Sequence, residues 1–209
     1  QEKQEGWKLL FNGENHEDWR SYDEDFFPEK GWMVHNAALT VLADADGGSI
    51  VTETIFGEFD LKLDFRMTEG ANSGIKYHLV DDSINLGLEY QILDDEHHPD
   101  INEKSNHSLA SLYEMIPAEN KEPRPTGEWN HARIVSKDGH VEHWLNGKKV
   151  LEFERGSKMF RNLVEKSKYP AKYEGTHFGE SEESPILLQE HGDRVSYRNI
   201  KIKEFSSDN

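Results

Sequence analysis

The sequence predicts an all-β fold, two facing antiparallel sheets with one short helix, and three observations carry that prediction. Residues 57–66 alternate strictly, with Phe59, Leu61, Leu63 and Phe65 on one side and Asp60, Lys62, Asp64 and Arg66 on the other. That is the period-2 pattern of a half-buried strand. The dipeptides Asp138-Gly139 and Asn146-Gly147 separate strand-like runs, a strong hairpin signal. No alternation of helical and strand patterns runs along the chain to build a parallel sheet, so two packed antiparallel sheets are the economical solution.

The elements follow in order. After residues 57–66, Ser73–His78 alternates, with Ile75 and Tyr77 opposed by Lys76 and His78. Leu88–Ile92 sets Leu88, Tyr90 and Ile92 against Glu89 and Gln91. Residues 132–135, 141–145 and 149–153 form a run of hairpins around the two tight turns. Ile186–Glu190 and Val195–Phe205 close the chain, joined at His191-Gly192-Asp193. The pattern amounts to about ten short strands. Ser157–Lys168 reads as a helix with Met159, Phe160, Leu163 and Val164 apolar, stopped at Pro170, and suits a sheet-edge cover or a lid. Two long polar segments, 94–108 and 117–127, are long enough for a functional role.

Composition bounds the function. The chain has 209 residues, ordinary for one β-sandwich, and residues 1–209 are expected to form a single domain. Its net charge of −17 repels phosphate backbones, so nucleic acid is not an expected partner, and an anionic membrane surface is disfavoured alike. With no cysteine, disulfides, thiolate zinc sites and cysteine nucleophiles are excluded. No apolar run reaches the length that spans a bilayer. The opening Gln1-Glu2-Lys3-Gln4-Glu5 is a polar stub without a signal-peptide core, and suits a processed mature form or a trimmed one equally.

The polar sides of consecutive strands point to a groove. Arg66, Lys76, His78, Glu89 and Gln91 all fall on that phase, beside the small residues Gly70-Ala71-Asn72-Ser73-Gly74 that let a ligand approach the backbone. Carboxylate, amide and ammonium groups of this kind can hydrogen-bond the hydroxyls of a sugar. The alternative is an ordinary solvated sheet face. His143 shares the apolar phase of Val141 and Leu145 and is expected to be a buried structural residue. The tryptophans at 7, 32, 129 and 144 are expected as core anchors, and Arg198-Asn199 as a tie between the last strand and its neighbours.

Six segments occur in one order: Asn72-Ser73-Gly74-Ile75, Leu88-Glu89-Tyr90-Gln91-Ile92-Leu93-Asp94, Ser111-Leu112-Tyr113, Gly127-Glu128-Trp129-Asn130, His143-Trp144-Leu145-Asn146-Gly147 and Ile186-Leu187-Leu188-Gln189-Glu190-His191-Gly192, ending in Tyr197-Arg198-Asn199-Ile200. With the opening Gly6-Trp7-Lys8-Leu9-Leu10-Phe11-Asn12-Gly13, this set resembles the 3-keto-disaccharide hydrolase family over nearly the whole chain. The resemblance implies a concanavalin A-like jelly-roll sandwich, secretion to the periplasm or outside of a Bacteroidota-like cell, and action on glycosides oxidised at C3. The chain departs from the family's pattern at Lys76-Tyr77, where an aromatic pair and Arg are usual.

A ketone at C3 acidifies the C2 hydrogen, so its removal, loss of the C1 oxygen and hydration would cleave the glycoside. That chemistry needs a base, an oxyanion stabiliser and an acid. Glu89 is the candidate base or metal ligand and His191 a candidate acid or base. Arg66, Lys76 and Gln91 suit hydroxyl or enolate contacts, and Tyr113 and Gln189 suit positioning of the substrate. No cofactor is required outright. Asp94 and His97, with Glu89, are the candidates for a divalent cation, although adjacent histidines such as His97 and His98 are also common on solvated loops. A non-catalytic carbohydrate-binding module and an ordinary glycoside hydrolase are the alternative readings. The two-carboxylate scheme needs a second acid facing Glu89, and the neighbouring position on its strand is the amide Gln91.

Overall fold

The computed structural model describes residues 5–80, 85–99, 105–169 and 177–205. They form thirteen strands and one α-helix: β1 Lys8–Leu9, β2 Trp19–Ser21, β3 Trp32–His35, β4 Ala38–Val41, β5 Ile50–Phe56, β6 Phe59–Met67, β7 Asn72–Tyr77, β8 Leu88–Leu93, β9 Asn130–Lys137, β10 His140–Leu145, β11 Lys148–Glu154, α1 Lys158–Lys166, β12 Ser184–Leu188 and β13 Val195–Glu204. The larger sheet runs β11-β10-β9-β6-β13-β4-β3, with β1 also on β13, and the smaller runs β2-β5-β12-β7-β8. Every strand pairing is antiparallel, as the sequence predicts.

The inward phase of each strand supplies the core. Phe59, Leu61, Leu63 and Phe65 of β6 meet Ile75, Tyr77, Tyr90 and Ile92 of the smaller sheet in one apolar cluster. His143 lies in that core as expected. Its Nε2 meets Tyr77 Oη at 2.7 Å and its Nδ1 meets Ala110 O at 2.9 Å, so its polar atoms are satisfied although the residue is fully buried. Arg198 Nε and Asn199 Nδ2 donate to Asp64 of β6, the expected tie of the last strand.

The structure adds strands that the pattern does not mark. β1–β5 all precede residue 57. β4 is buried at every position, and β5 reads buried for three residues and then exposed for three. β1 and β2, at two and three residues, are too short to show a period, and β4 carries apolar residues on both of its covered faces. The helix matches its expected place, beginning at the Ser157 cap, whose Oγ accepts from Phe160 N, the usual N-cap role of serine. Phe160 stacks on Phe153 of β11, so the helix closes an edge of the sandwich. Pro170, read as its stop, lies outside the described residues.

Two expectations fail for stated reasons. His78 leaves the phase of Lys76 because its φ of 47° turns the chain at the strand end. It is buried, bonded to Ser136 Oγ and Ser181 O, and burial holds its pKa down at about 3. Of the four tryptophans read as core anchors, only Trp32 is buried. Trp7, Trp129 and Trp144 lie half-buried on the outer face of the larger sheet, each beneath a cation: Lys62, Arg198 and Arg133 respectively.

Candidate active site

The outer face of the smaller sheet is polar, yet it is not solvated. β7, β8 and β12 are buried at every position. Three segments cover their outward side. Residues 110–113 run along the free edge of β8, with Ala110 N donating to Gln91 O, Gln91 N to Ser111 O and Tyr113 N to Glu89 O. The chain leaving α1 brings Lys168 and Tyr169, and the turn after β12 brings Gln189 and His191. Between them lies a cleft of about 130 Å³, lined by Asn72, Lys76, Glu89, Gln91, Tyr113, Lys168, Tyr169, Gln189 and His191, with Leu86.

Register places the floor. Glu89 stands directly opposite Lys76, and Gln91 opposite Gly74. The missing side chain at Gly74 makes room for the carboxylate: a Cβ there would overlap Glu89 Oε1, with Glu89 Cδ and Cγ at 3.0 Å. Glu89 is 6% exposed. Its Oε2 lies 3.9 Å from Lys76 Nζ, and that ammonium donates to Asn85 Oδ1 at 2.9 Å and Asn85 O at 3.1 Å.

Geometry counts Lys76 and Glu89 as an ion pair, yet both groups are shifted against ionisation. Burial raises the Glu89 pKa, against the opposing charges of Lys76, Lys168, His191 and His107. Burial lowers that of Lys76, against the attraction of Glu89. At 3.9 Å, without a direct hydrogen bond, desolvation outweighs pairing. The result is a carboxylate of raised basicity beside an ammonium that releases its proton more readily than usual. Lys168 adds a second cation. Its Nζ donates to Tyr113 Oη at 3.1 Å and sits 4.2 Å above the Tyr113 ring.

The amides have spare capacity. Gln91 Nε2 donates to Asn72 Oδ1 at 3.1 Å, while the buried oxygens Gln91 Oε1 and Gln189 Oε1 have no partner among the described residues. A buried acceptor left unmet costs about 1–3 kcal/mol, so ligand hydroxyls or water gain by meeting them. Glu89 is the one carboxylate among the described residues lining the cleft.

The structure therefore brings Glu89, Lys76, Gln91, Tyr113, Gln189 and His191 together. It separates three other candidates from them. Arg66 belongs to β6, so its outward side is that of the larger sheet, where it lies 4.7 Å over Trp129. Equal alternation placed it with Lys76 only on the assumption of a shared sheet. Asp94 lies an odd number of residues beyond Glu89, hence on the opposite phase. Its carboxylate is taken up locally, accepting from Gly70 N, Glu96 N and His97 Nδ1 at 2.8–3.1 Å. Glu89, Asp94 and His97 thus do not form a ligand set. The metal-like group among the described residues is His140, Glu142 and Glu152 on the β10–β11 surface, where Lys149 Nζ bonds both carboxylates and fills the space between them.

Asn72, Lys168 and Tyr169 complete the cleft without having been singled out as site residues. Asn72 carried a signal, since it opens the Asn72-Ser73-Gly74 segment whose small residues point to close approach. Lys168 and Tyr169 follow a helix end, where no periodicity announces an inward turn.

Comparison with known proteins bears on the family and the fold. The sequence profile of the 3-keto-alpha-glucoside-1,2-lyase-like domain matches residues 6–203. A 3-keto-disaccharide hydrolase of Bacteroides thetaiotaomicron is 32% identical, over 95% of this chain and 78% of that protein. A crystal structure from Parabacteroides distasonis, provisionally assigned as a glycosyl hydrolase, superposes with a TM-score of 0.87 at 31% identity, covering 98% of this chain and 96% of that one. A carbohydrate-binding module from Bacillus subtilis shares the fold alone, with a TM-score of 0.53 at 10% identity over 90% of this chain and 96% of its own.

Proposed function

The chain belongs to the 3-keto-alpha-glucoside-1,2-lyase-like family, a carbohydrate-acting hydrolase on that ground, and we propose that it cleaves 3-keto-glycosides by proton abstraction at C2. The observation that carries this reading is Glu89, a buried carboxylate of raised pKa lying over Gly74 with Lys76 and Lys168 beside it. A base of raised pKa suits a carbon acid made acidic by a neighbouring ketone.

The step balances as follows. Glu89 takes the C2 proton, and the electron pair moves onto the C3 oxygen as an enolate. The Lys76 and Lys168 ammonium groups supply positive charge for that oxygen. As the carbonyl re-forms, a C1=C2 double bond forms and the C1–O bond breaks. The leaving oxygen takes a proton from His191 at the cleft rim. Water then enters and adds at C1, returning a proton to His191, and C2 takes a proton from Glu89 after that carboxyl has exchanged with the entering water. The amides of Asn72, Gln91 and Gln189 meet ring hydroxyls, and Tyr113 borders the same ring. With Glu89 the one carboxylate among the described residues lining the cleft, this scheme is favoured over two-carboxylate hydrolysis, which needs a second acid across the scissile bond.

The test is incubation with a 3-keto-glucoside carrying a chromogenic aglycone, with and without added divalent metal. Aglycone release above the buffer rate is expected. Absence of release under both conditions, with tight binding of an unmodified oligosaccharide, would assign the cleft to a binding module instead.

A further inference from the structure

The outer face of the larger sheet runs against the charge of the chain. On β6 its outward residues are Asp60, Lys62, Asp64 and Arg66; opposite them on β13 stand Lys203, Lys201, Arg198 and Ser196. Five bases face two acids here, in a chain of net charge −17. Both acids are already engaged. Asp60 holds Arg133 in a two-pronged pair at 2.8 Å, and Asp64 accepts from His131, Arg198 and Asn199.

Arg66 and Arg194 are left without a carboxylate partner among the described residues. Thr68 N donates to Arg194 O, so the β6–β13 ladder continues to this position. Arg194 therefore stands diagonal to Arg66, about 7–8 Å away between backbones. Like charges at that spacing repel. The guanidinium of Arg66 lies against the indole of Trp129, which Arg198 covers at 4.0 Å. Stacking holds a guanidinium in place before a ligand arrives, which lowers the ordering cost of binding. Both arginines line a groove of about 490 Å³ with Thr68, Thr126, Gly127 and Glu69. Glu69 forms no ion pair with either.

We propose that this groove is a second, non-catalytic carbohydrate site that receives an oxyanion substituent, a carboxylate or a sulfate, on a sugar. Two guanidinium forks suit either planar or tetrahedral oxyanions. The acidic remainder of the chain repels long polyanions such as nucleic acid and leaves a short anionic saccharide as the fitting occupant. The site stands on the opposite face from the cleft, and its occupancy does not depend on the reaction proposed there.

Calorimetry on the full chain tests it with four probes: a glucuronate-containing oligosaccharide, a sulfated one, a neutral one of equal length, and inorganic sulfate. One or both acidic saccharides should bind, more weakly as salt rises, and the stronger of the two identifies the substituent. Arg66→Gln with Arg194→Gln should weaken that binding at least tenfold and leave cleavage at the cleft unchanged. Glu69→Gln should tighten it, and Glu89→Gln should not alter it. Equal binding of the neutral saccharide, equal binding of inorganic sulfate, no binding of either acidic saccharide, or affinity unchanged in the double variant would each overturn the proposal.

Discussion

On β6 the outward residues Lys62, Asp64 and Arg66 stand half in solvent, in ion pairs and over indole rings. On β8 the outward residues Glu89 and Gln91, spaced by the same alternation, are 6% and 2% exposed. The strands are alike in pattern and differ in what crosses them. Nothing in the pattern of β8 announces residues 110–113, the Lys168-Tyr169 segment or the turn through His191 that roof it. Covering one polar face turns ordinary surface chemistry into a site, because desolvation raises a carboxylate that solvent would otherwise hold at its usual value. The exposed face does the reverse: Asp64 is held below the usual carboxylate range by hydrogen bonds from His131, Asn199 and Arg198, which outweigh its own partial burial.

The sharpest way to break this contrast is to neutralise one carboxylate on each face. Glu89→Gln should lower kcat/KM on a 3-keto-glucoside by about 10²–10⁴, the usual worth of a general base, whereas Asp64→Asn should stay within about twofold. Steady-state kinetics of the two variants decides whether burial distinguishes them. In the parent protein kcat/KM should rise with pH through a limb above the ordinary carboxylate range, since Glu89 must be ionised to act and burial raises its pKa. Gly74→Ala probes the same carboxylate from beneath. Gly74 carries no backbone strain, so the effect arises through displaced Glu89 and should reach about 10²-fold in kcat with an unchanged near-ultraviolet spectrum.

Histidines extend the comparison to stability. In the interior, burial depresses His78 to about 3 and His143 to about 4. The unfolded chain therefore binds more protons than the folded one between these values and 6.5, and stability present above pH 6.5 is lost as pH falls toward them. His143 alone contributes on the order of 3 kcal/mol to that loss. Urea titrations at stepped pH should show the fall, and it should be shallower in His143→Gln. The smallest effect belongs to the outer face. Arg133→Ala removes contact with Trp144 and the two-pronged pair with Asp60, itself only 6% exposed, which should cost about 1–3 kcal/mol in thermal unfolding and leave turnover unaltered.

Much of the fold was legible because β6, β9, β10 and β13 are covered on one side only, so their alternation is clean. The first strands were not: β1 and β2, at two and three residues, are too short to show a period, and β4, buried at every position, carries apolar residues on both faces. The site was legible in the same measure. Lys76, Glu89 and Gln91 lie on neighbouring strands, where phase alone aligns them. Arg66 shared the phase and missed the cleft, because phase does not say which sheet a strand joins. Asp94 missed it because its side chain serves the turn after β8. Lys168 and Tyr169 arrive from a distant helix end, a placement set by the Phe160–Phe153 and Tyr169–Phe178 stacks and invisible to local pattern.

Proton abstraction at C2 is tested most directly by running the cleavage of a 3-keto-glucoside in D₂O and following C2 by NMR at early times against an enzyme-free control. Deuterium should enter C2 of the released sugar in step with aglycone release, and both should vanish together in Glu89→Gln. Aglycone release with the original C2 hydrogen retained would contradict the account.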